Sequence, residues 1–192
     1  LRLCLVSVSI GDTQLALGSA WVSSLARGMA AAARDLGVYV CGGNLTRGPL
    51  NIAVSAHGEI EHQCLLRRSG GQAGQQLSVT GRLGAAAACV RTGQMLPVDP
   101  AVLTPVQSAY YRPQARFDVL AMVETASAGL DISDGLSQDL AHLCAASGCG
   151  AALQAASIPL AAGATLEDAL FGGDDYELLV ASDKPLPGAH TI

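Results

Sequence analysis

Two carboxylates flank a hydroxyl in residues 128–143, which read AGLDISDGLSQDLAHL. Asp131 and Asp134 lie on either side of Ser133, and Gly135 follows directly. Paired carboxylates supply the hard oxygen ligands that Mg²⁺ prefers, and the free N–H groups of a helix N-terminus bind phosphate oxygens. The stretch therefore predicts magnesium and phosphate chemistry at a strand-to-helix junction. The alternative is a capped helix with two solvated acids.

A short buried strand and an amphipathic helix would hold these acids in place. Leu130 and Ile132 predict the strand. Apolar residues then recur at i, i+4, i+7 and i+8, which is the spacing of one helical face: Leu136, Leu140, Leu143 and Cys144. Because Ser and Asp are favoured N-cap residues, we expect Ser133 or Asp134 to cap the helix.

Two further glycine-hinged corners share this design. They are GGNLTRG (residues 42–48), which we expect to close a strand over residues 38–41, and GGDDYE (residues 172–177). Paired glycines let a backbone approach a ligand closely, although each corner alone also fits an ordinary turn. Three arginines could pair with phosphate oxygens in fork geometry or be solvated loop charges: Arg47, Arg67 and Arg68.

The sequence contains no Walker-type or Rossmann glycine motif and no nucleophile elbow. Phosphoryl transfer by this chain would therefore use a different scaffold.

Composition narrows the classes of function. Of the 192 residues, 50% are hydrophobic and 14% charged, with a net charge of −5. This charge argues against a nucleic-acid partner and fits the binding of a metal-nucleotide complex. The six cysteines form no C-x-x-C pair, which favours the reduced thiols of a cytoplasmic protein. No apolar run reaches the roughly 18 residues of a membrane span, so no membrane partner is expected.

The predicted fold class is α/β (mixed α+β) in two domains. A polar, glycine-rich stretch over residues 59–76 marks the boundary, which gives domains 1–62 and 63–192. The opening LRLCLVSVSI reads as an internal strand, so we expect the chain to be an internal fragment. Pro97 and Pro100 mark a loop. Arg112-Pro113 should open a helix whose apolar side is formed by Phe117, Leu120, Ala121 and Val123.

Four stretches together resemble the thiamine-monophosphate kinases of the aminoimidazole-ribonucleotide synthetase superfamily. They are GGNLTRGPL (residues 42–50), RSG (68–70), LDISDGLSQDL (130–140) and GGDDYEL (172–178). Their order and spacing are similar to those of the family from the first strand to about Ala181. The DISDGL corner is widespread in the superfamily, whereas GG-x-x-TRG combined with GG-acid-DYEL points to this member.

The resemblance implies a two-domain aminoimidazole-ribonucleotide synthetase-like architecture whose N-terminal domain is truncated here. In that family the N-terminal domain pairs with its copy in a homodimer. The implied activity is transfer of phosphate from ATP to thiamine monophosphate, with several Mg²⁺ ions, in the cytoplasm. A direct in-line attack by the substrate phosphate would need no protein nucleophile.

The resemblance also implies roles for single residues. Asp131 and Asp134 would be Mg²⁺ ligands, and Asp174 would contact the substrate where the family usually has the longer Glu. ATP contacts would come from Gly43, Asn44, Arg68 and Ser133. The family's GGDTTRG reads GGNLTRG here, so Asn44 replaces a metal-binding Asp and would be a weaker ligand.

The family also has a preceding segment with an acidic metal-binding cluster, and a following segment that contributes to the substrate pocket. Two alternatives to the kinase stay open. One is a selenophosphate-forming or purine-ribonucleotide-forming relative, against which the YEL after GGDD argues. The other is a degenerate nucleotide-binding or dimer-forming protein without catalysis, which Asn44 and the missing acidic segment motivate.

Overall fold

A computed structural model describes residues 2–95, 101–119 and 124–192. The chain forms two compact units, Leu1–Gln63 and Cys64–Ile192, and each unit contains its own sheet.

The first unit is a three-stranded sheet with two helices. Strand β1 is central, parallel to β2 and antiparallel to β3. Most apolar side chains of β2 and β3 are exposed, so this sheet buries little of its own surface. The elements are β1 (Leu3–Ile10), α1 (Asp12–Ala16), α2 (Ser19–Asp35), β2 (Tyr39–Arg47) and β3 (Asn51–His57).

The expectation that Gly42-Gly43-Asn44 closes a strand is wrong. Strand β2 runs through these residues to Arg47, because the backbone of β1 continues to pair with it beyond a register shift at Cys4/Leu5. Gly43 makes the close approach possible. A Cβ there would lie 1.7 Å from the carbonyl oxygen of Val6, so no residue with a side chain fits.

The second unit is a four-stranded antiparallel sheet in the order β5-β6-β4-β7, flanked by helices. Its core is formed by apolar side chains of the sheet and of helix α5. The elements are β4 (Gln76–Thr80), α3 (Ala85–Arg91), α4 (Pro105–Tyr111), β5 (Ala128–Ile132), α5 (Leu136–Ser147), α6 (Leu166–Phe171), β6 (Glu177–Ser182) and β7 (Ala189–Thr191).

The predicted apolar face of α5 is confirmed. Leu136, Leu140 and Leu143 are buried in the core, and Cys144 packs against it. This packing fixes the helix on the sheet and thereby fixes the loop that connects β5 to α5.

The described residues cover only part of the helix predicted after Arg112-Pro113. Phe117–Val119 forms a single 3₁₀ turn, while Leu120, Ala121 and Val123 lie outside the described residues, as do Pro97 and Pro100. All six cysteines are free thiols. Within the described ranges, every helix is too short or too polar to cross a bilayer.

An ion pair joins α3 to α6. Arg91 Nε donates to both carboxylate oxygens of Asp168, at 2.9 and 3.0 Å, and Asp168 also accepts the backbone N–H of Thr165. The hydrogen bond from Arg91 is the largest cause that lowers the pKa of Asp168 to about 2. Because this pKa is depressed in the folded state, the pair stabilises the fold above about pH 4 and that contribution is lost toward pH 2.

Asp168→Asn should therefore reduce the loss of stability between about pH 4 and pH 2. Chemical denaturation at several pH values measures this slope. The exposed Asp183→Asn is the control and should keep the wild-type slope. An unchanged slope in Asp168→Asn would contradict the assignment of this ion pair.

Candidate functional site

The DISDG corner (residues 131–135) connects β5 to α5. Asp131 and Asp134 are exposed, whereas Ile132 and Gly135 on the same corner are buried. Gly135 has φ +103°, and a Cβ on it would lie 2.8 Å from the carbonyl oxygen of Gly172. The corner therefore needs glycine at its hinge, and the hinge presents both acids to solvent.

The predicted N-cap is wrong: the N-cap residue of α5 is Gly135, and no side chain caps it. Instead Asp139, which is only 2% exposed, reaches back to the corner. Its Oδ2 accepts the backbone N–H groups of Ser133 and Asp134 at 3.0 and 2.9 Å. Asp139 therefore fixes the backbone that carries the acids. The sequence offered a signal of this role, because Asp139 lies on the apolar face of the helix, between Leu136 and Leu140.

A second loop docks on this corner. The acidic loop (residues 172–176) donates the backbone N–H of Asp174 to the carbonyl oxygen of Ser133 at 2.9 Å. It also donates the N–H of Tyr176 to the carbonyl oxygen of Ile132 at 2.8 Å. Two of the glycine-hinged corners found in the sequence thus meet in space.

The docking brings exposed acids together around one phenol. Tyr176 Oη donates to Asp174 Oδ1 at 2.8 Å. This hydrogen bond, partial burial, and the negative charges of Asp174, Asp131 and Asp134 raise the pKa of Tyr176. Three carboxylates therefore share one region of the surface, where they can bind cations and hydrogen-bond donors.

Three side chains at the corner have ligand atoms spaced closely enough to hold a metal ion. The ligand atoms of Asp134, Asp139 and His142 all lie within 4.8 Å of one another. Asp139 Oδ1 lies 3.6 Å from His142 Nδ1, and Asp134 Oδ2 accepts a hydrogen bond from Gln138. Oxygen-rich, exposed and negatively charged, the corner fits a hard divalent cation.

The other two acids of the GGDDYE stretch are engaged in the fold. Asp175 accepts the backbone N–H of Gly84 at 2.8 and 3.0 Å, and burial raises the pKa of Asp175 to about 7. Glu177 accepts hydrogen bonds from Thr80 and from Arg116. Of the three acids, Asp174 is therefore the exposed one that faces the DISDG corner.

Arg68 lies away from the corner. Its carbonyl oxygen accepts from Ser147 Oγ at 3.0 Å, at the last residue of α5, and its neighbour Arg67 accepts the N–H of Gly129 at 2.8 Å. Ser133 follows Gly129 by four residues, roughly 13 Å along a strand. Arg68 and Ser133 are thus placed near opposite ends of β5.

Gly43 and Asn44 belong to the first unit. They line an open groove of about 680 Å³ between α2 and the sheet, together with Val6 and Met29. Asn44 Oδ1 accepts the N–H of Leu45 at 3.0 Å. Nearby in sequence, the Nη2 of the exposed Arg47 pairs with the exposed Asp12 at 2.7 Å.

Comparison with known proteins shows which families and enzymes the chain is similar to. Residues 2–60 match the family described as AIR synthase related protein, N-terminal domain. The thiamine-monophosphate kinase of Salmonella typhimurium is 33% identical over 169 residues, which are 82% of this chain and 52% of the relative. The chain is therefore similar to a thiamine-monophosphate kinase over most of its length, and its residues 2–60 are similar to the AIR synthase related N-terminal domain. It spans about half the length of the curated relatives it matches.

Solved structures that match the chain include thiamine-monophosphate kinases. The enzyme from Stenotrophomonas maltophilia is 30% identical with a TM-score of 0.84, covering 94% of this chain and 61% of that one. AaThiL complexed with AMPPCP and TMP is 27% identical with a TM-score of 0.88, covering 100% of this chain and 66% of that one. The fold class and the resemblance predicted from the sequence are thereby confirmed.

Proposed function

We propose that this chain belongs to an ATP-dependent kinase that converts thiamine monophosphate to thiamine diphosphate. The observation that carries the proposal is the docking of the acidic loop on the DISDG corner, which groups Asp131, Asp134 and Asp174. The similarity to AaThiL complexed with AMPPCP and TMP supports the pairing of substrates, because AMPPCP is ATP with a methylene bridge between its last two phosphates.

Mg²⁺ would be held by Asp131 and Asp134, where it would neutralise charge on the phosphate oxygens. Asn44 would be a weaker Mg²⁺ ligand than the aspartate it replaces. The remaining task of the chain is alignment, since phosphoryl transfer needs little covalent help from a protein. Ser133 lies between the two acids and would contact the phosphates, and Asp174 would bind the acceptor substrate.

Arg68 and Ser133 are placed near opposite ends of β5, so they would contact different parts of the nucleotide. Gly43 would contact the nucleotide through its backbone. In-line attack by the substrate phosphate would then occur at the DISDG corner, where the acids are.

The first unit would form the homodimer side of the molecule. Its strands β2 and β3 expose apolar side chains that a folded protein normally covers: Val40, Leu45, Ile52 and Val54. Sedimentation of the full-length protein at micromolar concentration should give twice the monomer mass. The six free cysteines fit the reducing cytoplasm as its location.

A substrate screen tests the proposal against its nearest alternative. Full-length protein with ATP and Mg²⁺ should release ADP when thiamine monophosphate is added, and not when selenide or a purine ribonucleotide precursor is added. Release with one of the latter would favour the other enzymes of the superfamily. No substrate-dependent release would favour a nucleotide-binding protein without catalysis.

Asn44→Asp should shift activity to lower Mg²⁺ concentrations. An amide oxygen can bind a cation, but the carboxylate adds the negative charge that tightens the site. A Mg²⁺ titration of the rate at fixed ATP and ionic strength compares the two proteins. Asp35→Asn, a charge change elsewhere in the same unit, is the control. Identical Mg²⁺ dependence in wild type and Asn44→Asp would remove Asn44 from the metal site.

A further inference from the structure

The acidic loop contains an unusual backbone. Asp174 has φ +64° and Tyr176 has φ +52°, and among the described residues these are the non-glycine residues with positive φ. Left-handed backbone is unfavourable for residues with a side chain, and more so for a bulky aromatic residue such as Tyr. Such outliers persist where the surrounding structure imposes them, and they concentrate at ligand sites.

Contacts on both sides of the loop impose this conformation. The N–H groups of Asp174 and Tyr176 are bound by carbonyl oxygens of the DISDG corner. Between them, the Asp175 carboxylate is bound by the backbone N–H of Gly84. The loop is therefore held by two different segments of the second unit. These contacts fix the directions in which the side chains of Asp174 and Tyr176 leave the backbone.

The result is a short bridge between two exposed side chains. Tyr176 Oη donates to Asp174 Oδ1, and Tyr176 is 41% exposed. The hydrogen bond to Asp174, partial burial and the nearby carboxylates raise the pKa of the Tyr176 phenol. Tyr176 thus fixes the direction of a carboxylate that would otherwise rotate freely on a short side chain.

We propose that Tyr176 is a positioning residue, whose hydroxyl holds Asp174 so that its carboxylate receives a hydrogen-bond donor of the acceptor substrate. This rests on the proposed kinase function. Thiamine monophosphate offers an aminopyrimidine N–H₂ and a cationic thiazolium ring, both of which suit a fixed carboxylate. The fixed geometry would compensate for the short reach of Asp174 compared with glutamate.

The test is a double-mutant cycle in the full-length protein. Tyr176→Phe should raise the KM for thiamine monophosphate by roughly fivefold to tenfold, about the effect of losing one ordinary hydrogen bond. It should leave kcat and the KM for ATP within about twofold. In the Asp174→Ala background, Tyr176→Phe should have no further effect, because its target is gone. Asp174→Gly, which adopts φ +64° without strain, repeats the cycle if the alanine variant folds poorly.

Tyr110→Phe, in α4 of the same unit, is the control and should behave as wild type. An equal rise in KM with and without the Asp174 side chain would overturn the proposal, since Tyr176 would then have a structural role that does not depend on Asp174. A changed Mg²⁺ dependence with unchanged KM would also overturn it, because Asp174 would then be a metal ligand. If wild type does not act on thiamine monophosphate, the kinase proposal fails and this role fails with it.

Discussion

Replacing Asp131 or Asp134 by asparagine is expected to weaken binding of the Mg²⁺-nucleotide complex by about tenfold to a hundredfold, or more. Changes to residues that only orient metal ligands already have effects of about this size. Both acids are exposed, so the free energy of unfolding should change by about 0.5 kcal/mol or less. In Asp134→Asn, the amide oxygen can still accept the hydrogen bond that Gln138 now donates to the carboxylate.

Calorimetric titration with Mg²⁺ and AMPPCP, alongside denaturation curves, measures both quantities. Asp183→Asn is a matched control, because Asp183 is also exposed and also accepts a hydrogen bond from a glutamine, Gln75. It lies just beyond the end of β6 that is far from the acidic loop. Unchanged affinity in both corner variants would refute the metal assignment. An equal loss in Asp183→Asn would point to a general charge effect.

Asp139→Ala is expected to have the second large effect, on stability and binding together. The substitution leaves the N–H groups of Ser133 and Asp134 without their buried acceptor. Unsatisfied buried donors cost about 1–3 kcal/mol each, so the free energy of unfolding should fall by about 2–6 kcal/mol. Because the same N–H groups orient the corner, affinity for the Mg²⁺-nucleotide complex should fall as well.

Asp139→Asn separates the hydrogen bonds from the charge. Its amide oxygen can still accept both N–H groups, so it should retain more stability than the alanine variant. Urea denaturation and the same calorimetric titration compare the two variants. Asp139→Ala with wild-type stability and affinity would show that the corner keeps its shape without this carboxylate.

Periodicity revealed the helix but not the way in which its first turn is held. Leu136, Leu140 and Leu143 repeat at helical spacing, and burial of that face explains why the prediction is confirmed. The same reasoning assigned the cap to Ser133 or Asp134, because local capping rules consider the residues that precede a helix. A buried carboxylate that reaches back from Asp139, within the helix, is not covered by these rules, and only its odd place on an apolar face hinted at it.

Strand pairing explains the other difference. Gly42-Gly43-Asn44 has the composition of a turn, but pairing with β1 keeps the segment extended, and tertiary context commonly overrides local preference. The docking of the acidic loop on the DISDG corner joins residues about forty positions apart by backbone hydrogen bonds. Backbone contacts of that kind leave little trace in the types of the residues involved.

Direct detection of thiamine diphosphate is the most decisive measurement. Full-length protein is incubated with thiamine monophosphate, ATP and Mg²⁺, and the products are separated by chromatography. We predict equal amounts of thiamine diphosphate and ADP, with formation of both greatly reduced in Asp131→Asn and retained in Asp183→Asn. ADP formation without thiamine diphosphate, or equal product from wild type and Asp131→Asn, would contradict the proposed kinase.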